Sequence, residues 1–160
     1  MGGKDTAFPG TSGVSLKRPA PLATLLHGPD PRESVLQPRK VLVVDDSKLM
    51  HKMYEVMLRQ YPLVYALDGR QALDRLREHA DIDLVLLDIN MPNMNGLEFL
   101  AEMRSNGAHK DLAVIIISTE GREEDTQRGL EAGASAYIKK PFHSEDILEK
   151  IAHLERGPGA

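Results

Sequence analysis

The sequence contains no cysteine. A disulfide framework and a thiolate metal site are therefore both excluded, which suits a cytoplasmic protein. No apolar run approaches the length of about 20 residues that crosses a bilayer. The amino terminus is rich in glycine and proline and lacks the basic-then-apolar pattern of a secretory signal. We therefore expect a cytoplasmic protein without a membrane partner.

The sequence also lacks an excess of basic residues, since its formal net charge is −4. Residues 1–38 carry a charge of about +1, so the acidic balance belongs to the remainder of the chain. A nucleic-acid-binding domain needs a clustered basic surface. The charge therefore predicts that nucleic acid is not a partner.

The prolines are unevenly distributed: six of the ten lie within residues 1–38, together with several glycines. This composition predicts a disordered leader over 1–38. Within it, Leu22–Leu26 is interpreted as an isolated apolar segment, with a short docking helix as the alternative. A globular domain is predicted over 39–155, followed by a short flexible tail over 156–160.

From Arg39 onwards, short apolar runs alternate with segments of helical periodicity. The pattern predicts strands at 41–44, 63–66, 84–87, 112–117 and 136–138, and helices at 47–60, 69–79, 96–105, 122–132 and 144–154. Repeated strand–helix units favour an α/β fold, here a doubly wound five-stranded parallel sheet of order 2-1-3-4-5 with five helices, of flavodoxin-like type.

The sequence also predicts the residues that cap the helices and those that form the buried face of the first helix. Asp46 or Ser47 is placed to cap the first helix and Ser144 the last, while Gly133 closes the fourth. The buried face of the first helix is predicted from apolar residues at helical spacing, which are Leu49, Met50, Met53, Val56 and Met57.

The domain is organised around the stretch from Val85 to Gly96. An apolar run without alternation, typical of a strand buried on both faces, stops at Asp88, and Pro92 and Gly96 then predict a loop. Asp88 would thus lie at the carboxyl end of a central strand, where ligands bind in open parallel sheets. The alternative is that Asp88 merely ends the strand.

Other polar residues follow other predicted strands: Asp45 and Asp46 the first, Ser118 the fourth and Lys140 the fifth. All of them converge on one edge of the predicted sheet. Three carboxylates in one cleft repel each other, and a hard cation such as Mg²⁺ relieves that repulsion.

This set of residues suits phosphoryl chemistry, because Mg²⁺ and a lysine both neutralise phosphoryl oxygens. A carboxylate that is not fully occupied by the metal can attack phosphorus and form an acyl phosphate. Asp88 is the preferred nucleophile, since it projects alone from the central strand.

The region from about Arg39 to Leu154 closely resembles the receiver domain of two-component response regulators. The resemblance rests on motifs kept in the family's order: Asp45-Asp46, Asp88 through Pro92 with Gly96, Ser118-Thr119, Ala132-Gly133-Ala134 and Lys140-Pro141-Phe142. It implies a receiver fold and a phosphorylation-dependent switch.

The resemblance further implies roles for single residues. Asp88 would be the phosphoacceptor. Mg²⁺ would be held by Asp46, Asp88 and the main-chain carbonyl of Asn90, with Asp45 acting through water. Ser118 and Lys140 would each contact a phosphoryl oxygen, Lys139 would point away, and the Lys140–Pro141 bond would be cis. Tyr137 matches the aromatic switch position and would move inward with Ser118.

Three residues bear on the lifetime of the phosphate. Thr119 stands where many similar domains have alanine, and its bulk would slow access to the phosphate. Asn90 and Glu120 resemble the pair found in chemotaxis-type receivers with short-lived phosphates. Because these indications oppose each other, the lifetime stays open.

A signalling switch is therefore the leading functional expectation. A sensor histidine kinase would donate phosphate to Asp88, and a protein partner would bind the face formed by the fourth helix, fifth strand and last helix, represented by Arg122, Glu124, Arg128, Tyr137, Lys139 and Ile147. A phosphorylation-dependent homodimer is a further expectation. The alternative is a phosphorelay intermediate that passes phosphate to a histidine-phosphotransfer protein. The chain ends soon after the last helix, so output is expected through protein binding or through onward phosphate transfer, and the sequence does not separate the two.

Two other classes fit the sequence less well. A small-molecule phosphatase similar to the haloacid dehalogenase family would need an acid two residues after the nucleophile, where this chain has Asn90. A scaffold without chemistry would not need the five site residues, all of which are present. The protein is therefore not expected to be a turnover enzyme, although it would promote its own phosphorylation and dephosphorylation.

Overall fold

The computed structural model describes residues 38–154. Over this range five strands alternate with five α-helices and one short 3-10 helix at Gly107–His109. In chain order the elements are β1 (Val41–Val44), α1 (Lys48–Met57), β2 (Leu63–Ala66), α2 (Gly69–Glu78), β3 (Leu84–Leu87), α3 (Gly96–Ser105), β4 (Ala113–Ser118), α4 (Glu123–Glu131), β5 (Ala136–Lys139) and α5 (Ser144–His153).

All neighbouring strands are parallel, and the sheet has the order β2-β1-β3-β4-β5. The predicted fold class is confirmed. The order reverses at β1, which lies between β2 and β3, and the crevice between β1 and β3 is the switch point at which ligands bind in such folds. Val44 is paired with Leu87, so these two strands end at the same level of the sheet.

The central strands are buried on both faces because helices cover each side of the sheet. Leu42, Val44, Val85 and Leu87 belong to a core cluster on one side, where Phe99, Leu100 and Met103 of α3 pack. Val41, Val43, Leu84 and Leu86 belong to the opposite cluster with residues of α1 and α5. The continuous apolar runs of β1 and β3 thus reflect burial on two faces.

The predicted buried face of α1 is confirmed only in part, because Met50 and Met57 pack against the core while the other three predicted residues are exposed. Tyr54 is the buried residue of this helix, and Leu58 immediately after it is also buried. Leu49 and Val56 are each 71% exposed and Met53 is 40% exposed. The helix is apolar around much of its circumference, and the Tyr54 ring stacks on Phe142 at 5.8 Å between centroids. That long-range contact selects the face that turns inward.

The helix ends agree in part with the predictions. Ser47 caps α1, and its hydroxyl accepts a hydrogen bond from the Met50 amide at 3.2 Å. The prediction that Ser144 caps α5 is wrong, because Ser144 is the first helical residue. His143 is the N-cap instead, and its amide donates to Asp146 Oδ2 at 2.7 Å. Gly133 follows α4 with a φ of 109°, which confirms it as the C-terminal glycine.

The predictions for residues 1–37, including Leu22–Leu26, and for the tail at 156–160 lie outside the described residues. Within 38–154, no helix combines the length and the apolar character that spanning a membrane would demand.

Candidate functional site

Three carboxylates meet where β1 and β3 end. Asp45 and Asp46 follow β1, and Asp88 follows β3. One carboxylate oxygen from each acid lies within 4.8 Å of the other two. This spacing and the all-oxygen donor set fit one hard divalent cation. The structure therefore brings together the acidic cluster that the sequence predicted.

The three acids differ in their exposure. Asp45 is buried, and its Oδ1 accepts a hydrogen bond from the Ser47 amide at 2.9 Å. Asp46 is exposed and Asp88 is 8% exposed, so the cluster forms a cleft that opens to solvent on the side of Asp46. A cation held there would keep water ligands, as Mg²⁺ usually does.

Lys140 follows β5 and supplies a positive charge to the cleft. Its Nζ lies 3.0 Å from Asp45 Oδ2 and 3.7 Å from Asp88 Oδ2. The Lys140 side chain is only 16% exposed, so solvent screens this attraction weakly. Lys139 is exposed, as predicted, and the Lys140–Pro141 bond is cis.

Asp88 combines burial with a nearby cation. Burial raises the pKa of Asp88 from 3.8 to about 6; Lys140 opposes that rise, and Asp45 adds to it. Asp88 Oδ1 accepts a hydrogen bond from the Ile89 amide at 2.9 Å, while Oδ2 faces Lys140. At neutral pH the carboxylate is mostly ionised, and it is therefore available as a nucleophile.

This pKa predicts a pH-dependent effect of Asp88→Asn on stability in a chelating buffer. Since the folded-state pKa lies above the unfolded value, ionisation of Asp88 destabilises the fold as the pH rises from about 4 through about 6. Asparagine remains neutral, so the variant should have a Tm several degrees higher at pH 7 and close to that of the wild type near pH 4.

Thermal unfolding at both pH values checks this prediction. Glu102→Gln removes an exposed carboxylate from α3 and should not change Tm in a pH-dependent way. The same difference between Asp88→Asn and wild type at both pH values would contradict the raised pKa.

Ser118 is the last residue of β4 and is fully buried beside the cleft. Its hydroxyl accepts a hydrogen bond from the Glu120 amide at 3.4 Å. Thr119 is exposed and, with Lys140, lines a cavity of about 350 Å³ that continues to Met50, Met53, Pro141 and Phe142. Thr119 thus lines the same cavity as Lys140.

Tyr137 on β5 is partly buried, and its hydroxyl donates a hydrogen bond to the main-chain carbonyl of Glu120. Burial raises the pKa of Tyr137, and a hydrogen bond with the Ser118 side chain opposes that rise. The ring lies against α4, where a Cβ at Gly129 would be 3.2 Å from Tyr137 Cδ2. The Tyr137 ring therefore lies against α4, and its hydroxyl is held by the main chain of the loop that follows β4.

Asn90 is exposed in the loop between β3 and α3, two residues after Asp88. Sequence reasoning missed how that loop is held. Asp68, the N-cap of α2, is buried, and its Oδ2 accepts a hydrogen bond from Asn93 Nδ2 at 2.8 Å. The detectable signal was an Asp-Gly pair directly before a helical pattern, which is typical of a helix start.

The protein is a doubly wound α/β domain with an acidic cleft at its switch point and a largely buried lysine beside the cleft. These features are typical of a domain that binds a cation and accepts an anionic group. The chain belongs to the response regulator receiver domain family, whose profile matches residues 41–152. It is therefore the receiver domain of a two-component response regulator, in agreement with phosphorylation-dependent signalling.

The similar proteins support this assignment. The chemotaxis protein CheY1 of Helicobacter pylori is 36% identical over 115 residues, which cover 70% of this chain and 93% of CheY1. The structure of chemotaxis protein CheY4 of Vibrio cholerae is 33% identical, with a TM-score of 0.66, over 72% of this chain and 97% of CheY4. Response regulator Rcp1, whose structure was determined in a Mn²⁺-bound form, is 26% identical, with a TM-score of 0.60, over 72% of this chain and 90% of Rcp1.

Domains of this family are signalling switches, and they bind Mg²⁺ at an acidic pocket. The cluster at Asp45, Asp46 and Asp88 has the composition and spacing of such a pocket. The family assignment thus agrees with the donor set that the structure brings together.

Proposed function

We propose that this protein is a phosphorylation-dependent switch that accepts a phosphoryl group on Asp88 from the phosphohistidine of a sensor kinase. The observation that carries the proposal is the environment of Asp88. Its carboxylate is buried, lies 3.7 Å from Lys140 and shares a cation-sized cluster with two other acids.

In the proposed transfer, a carboxylate oxygen of Asp88 attacks phosphorus, and an O–P bond forms as the P–N bond to the donor imidazole breaks. The electron pair of that bond returns to the imidazole nitrogen. Lys140 stabilises the negative charge on a phosphoryl oxygen, and the Ser118 hydroxyl donates a hydrogen bond to another. Hydrolysis of the acyl phosphate later resets the switch.

Asp46, Asp88 and the main-chain carbonyl of Asn90 are the proposed ligands of Mg²⁺, and Asp45 acts through water. When bound, Mg²⁺ neutralises phosphoryl oxygens and reduces repulsion among the acids. The oxygen-only donor set and the 4.8 Å spacing support this assignment, as does the metal-bound form of the similar protein Rcp1.

We propose that the switch element is the pair of Ser118 and Tyr137. A phosphoryl group on Asp88 recruits the Ser118 hydroxyl and favours the inward position of the Tyr137 ring. The hydrogen bond from the Tyr137 hydroxyl to the Glu120 carbonyl supports this coupling, because it ties the ring to the loop that follows Ser118. Phosphorylation then changes the relative populations of two positions of the Tyr137 ring. The surface formed by α4, β5 and α5 changes with the ring position.

The output surface is defined here by four exposed residues, Arg122, Glu124, Arg128 and Lys139, together with the partly buried Tyr137. Ile147 of α5 was predicted to belong to it, but it is fully buried in the core and cannot contact a partner. The surface mixes both charges with one aromatic side chain, as binding surfaces often do.

Binding of beryllofluoride and Mg²⁺, as a mimic of the phosphorylated state, should shift amide NMR signals in α4 and β5 as well as around Asp88. The reason is that the ring of Tyr137 packs on Gly129 of α4, so a change at the ring changes the helix surface. Shifts confined to residues next to Asp88 and Lys140 would contradict the proposed coupling.

Lys139→Glu should weaken binding of a partner or of a second copy of the chain while leaving phosphorylation unchanged. Lys139 is exposed and its side chain lies over Gly121, away from the carboxylates. Lys110→Glu makes the same charge change at an exposed position after α3 and serves as the control. Equal loss of binding in both variants would indicate a general charge effect.

The alternative output is a phosphorelay, in which Asp88 passes its phosphoryl group to a histidine-phosphotransfer protein. Radiolabelled protein, freed from the kinase and mixed with such a protein, distinguishes the two. Transfer of label to histidine favours the relay, while loss to inorganic phosphate favours a switch. The rate of that loss also measures the lifetime of the phosphate. A slow loss would agree with the effect expected of Thr119, and a fast loss with the effect expected of Asn90 and Glu120.

A further inference from the structure

Asp68 is a buried acid outside the phosphoryl site. It lies between β2 and α2, is 6% exposed, and its Oδ1 accepts a hydrogen bond from the Gln71 amide at 2.9 Å. The hydrogen bond from the Gln71 backbone lowers the pKa of Asp68, and the bond from the Asn93 side chain lowers it further. Capping α2 uses one carboxylate oxygen and leaves the other free for a second task.

That second oxygen binds the loop that follows the phosphoacceptor. Asn93 Nδ2 donates to Asp68 Oδ2 at 2.8 Å across 25 positions of sequence. Asn93 has a φ of 65°, a left-handed conformation that costs free energy for residues other than glycine and that asparagine tolerates best. The hydrogen bond to Asp68 is a physical reason for asparagine at this position.

A second contact joins the same two segments. The Gly69 amide, next to Asp68, donates to the Met94 carbonyl at 3.0 Å, and Met94 is buried. A Cβ at Gly69 would lie 2.6 Å from Met94 Cγ, so the two segments are in close contact. The start of α2 therefore holds the loop at two consecutive residues, Asn93 and Met94.

We propose that the Asp68–Asn93 hydrogen bond positions the loop so that the main-chain carbonyl of Asn90 faces the cation site, which makes Asp68 and Asn93 positioning residues for metal binding. This inference rests on the proposed Mg²⁺ site. The loop leaves that site at Asp88 and returns at Gly96, whose amide donates to the Ile89 carbonyl at 2.8 Å. Between these ends, the contacts from Asp68 and Gly69 fix the loop from the far side.

The test is the Mg²⁺ affinity of the full chain, measured by titration with MgCl₂ and followed by amide NMR shifts. Asp68→Ser keeps a good N-cap for α2, but its hydroxyl is too short to reach Asn93 as well. Asn93→Gly removes the donor and retains a residue that adopts a positive φ without strain. Each variant should bind Mg²⁺ about 10-fold more weakly, as is common when residues supporting metal ligands are removed.

Two further variants test whether a loss of Mg²⁺ affinity comes from the position of the loop, from the loss of a negative charge or from general destabilisation of the fold. Asp74→Ser removes an exposed carboxylate of α2 that pairs with Arg77 at the surface, and it should leave the affinity unchanged. The exchange Asp68→Asn with Asn93→Asp keeps the charge and reverses donor and acceptor, so it should restore most of the affinity. Spectra without Mg²⁺ verify that each variant is folded.

Wild-type affinity in both Asp68→Ser and Asn93→Gly would overturn the inference, as would a loss that the exchange does not restore. An equal loss in Asp74→Ser would assign the effect to charge alone and would also overturn it. Failure of the proposed site gives a different result, because the wild-type chain would then not bind Mg²⁺ or Asp46→Ala would bind it unchanged.

Discussion

Asp88→Asn should abolish labelling of the protein by acetyl phosphate in the presence of Mg²⁺. Acetyl phosphate needs no partner protein, so the result depends on this chain alone. The amide of asparagine has no anionic oxygen to attack phosphorus, and Asp45 is buried and bonded to Lys140 and Ser47. The variant is nearly isosteric and retains an oxygen that can accept the bond from the Ile89 amide. Intact-mass measurement of the added phosphoryl group gives the readout.

Asp46→Ala is the informative companion, because Asp46 belongs to the same cluster and is exposed. It should weaken Mg²⁺ binding and slow labelling without preventing it at high Mg²⁺ concentration. Full labelling of Asp88→Asn would show that another residue is the acceptor. Unchanged Mg²⁺ affinity in Asp46→Ala would remove Asp46 from the proposed ligand set.

The sheet could be predicted because local sequence decides it. The apolar runs at 41–44 and 84–87 lie within the two central strands, and parallel pairing then places the residues that follow them side by side. For the same reason, the convergence of Asp45, Asp46, Asp88 and Lys140 could be predicted from chain order alone. The proposed phosphoryl site lies at the ends of strands, where ligands bind in open parallel sheets.

The inward face of α1 could be predicted only in part, because two apolar stripes compete on one helix. Met53 and Val56 have the same spacing as residues that turn inward. The choice depends on Tyr54 stacking on Phe142, a contact across 88 positions that no local window contains. Ile147 was misplaced for a related reason, since periodicity does not show which side of α5 faces the sheet.

The contact between Asp68 and Asn93 was also beyond sequence reasoning. Each residue has a sufficient local explanation, one as a helix cap and the other as a turn residue. Their pairing appears only when β1 and β3 are neighbours, which brings the start of α2 against the loop after β3. Local rules predicted the residues that carry the proposed chemistry and missed those that hold their loop in place.

Gly96→Ala should strongly destabilise the domain and weaken its Mg²⁺ affinity. A Cβ at Gly96 would overlap the carbonyl oxygen of Asp88 and lie 2.9 Å from Ile89 Cα. Both are main-chain atoms of the strand end, so no side chain can rotate away to make space. Overpacking typically costs about 1–3 kcal/mol, and a clash with rigid backbone atoms belongs at the upper end. We expect a fall in Tm on the order of 10 °C.

Thermal unfolding and Mg²⁺ titration test this prediction, with Gly107→Ala as the matched control. Gly107 is exposed, and a Cβ there would meet no atom within 4 Å, so its replacement should change stability by less than about 0.5 kcal/mol. If the backbone of Asp88 and Ile89 did not lie so close, alanine at this first helical position would stabilise α3, because glycine has a lower helix propensity than alanine. An increase in Tm for Gly96→Ala would therefore show that the loop can move away from Asp88, and that the phosphoacceptor is held less rigidly than its contacts indicate.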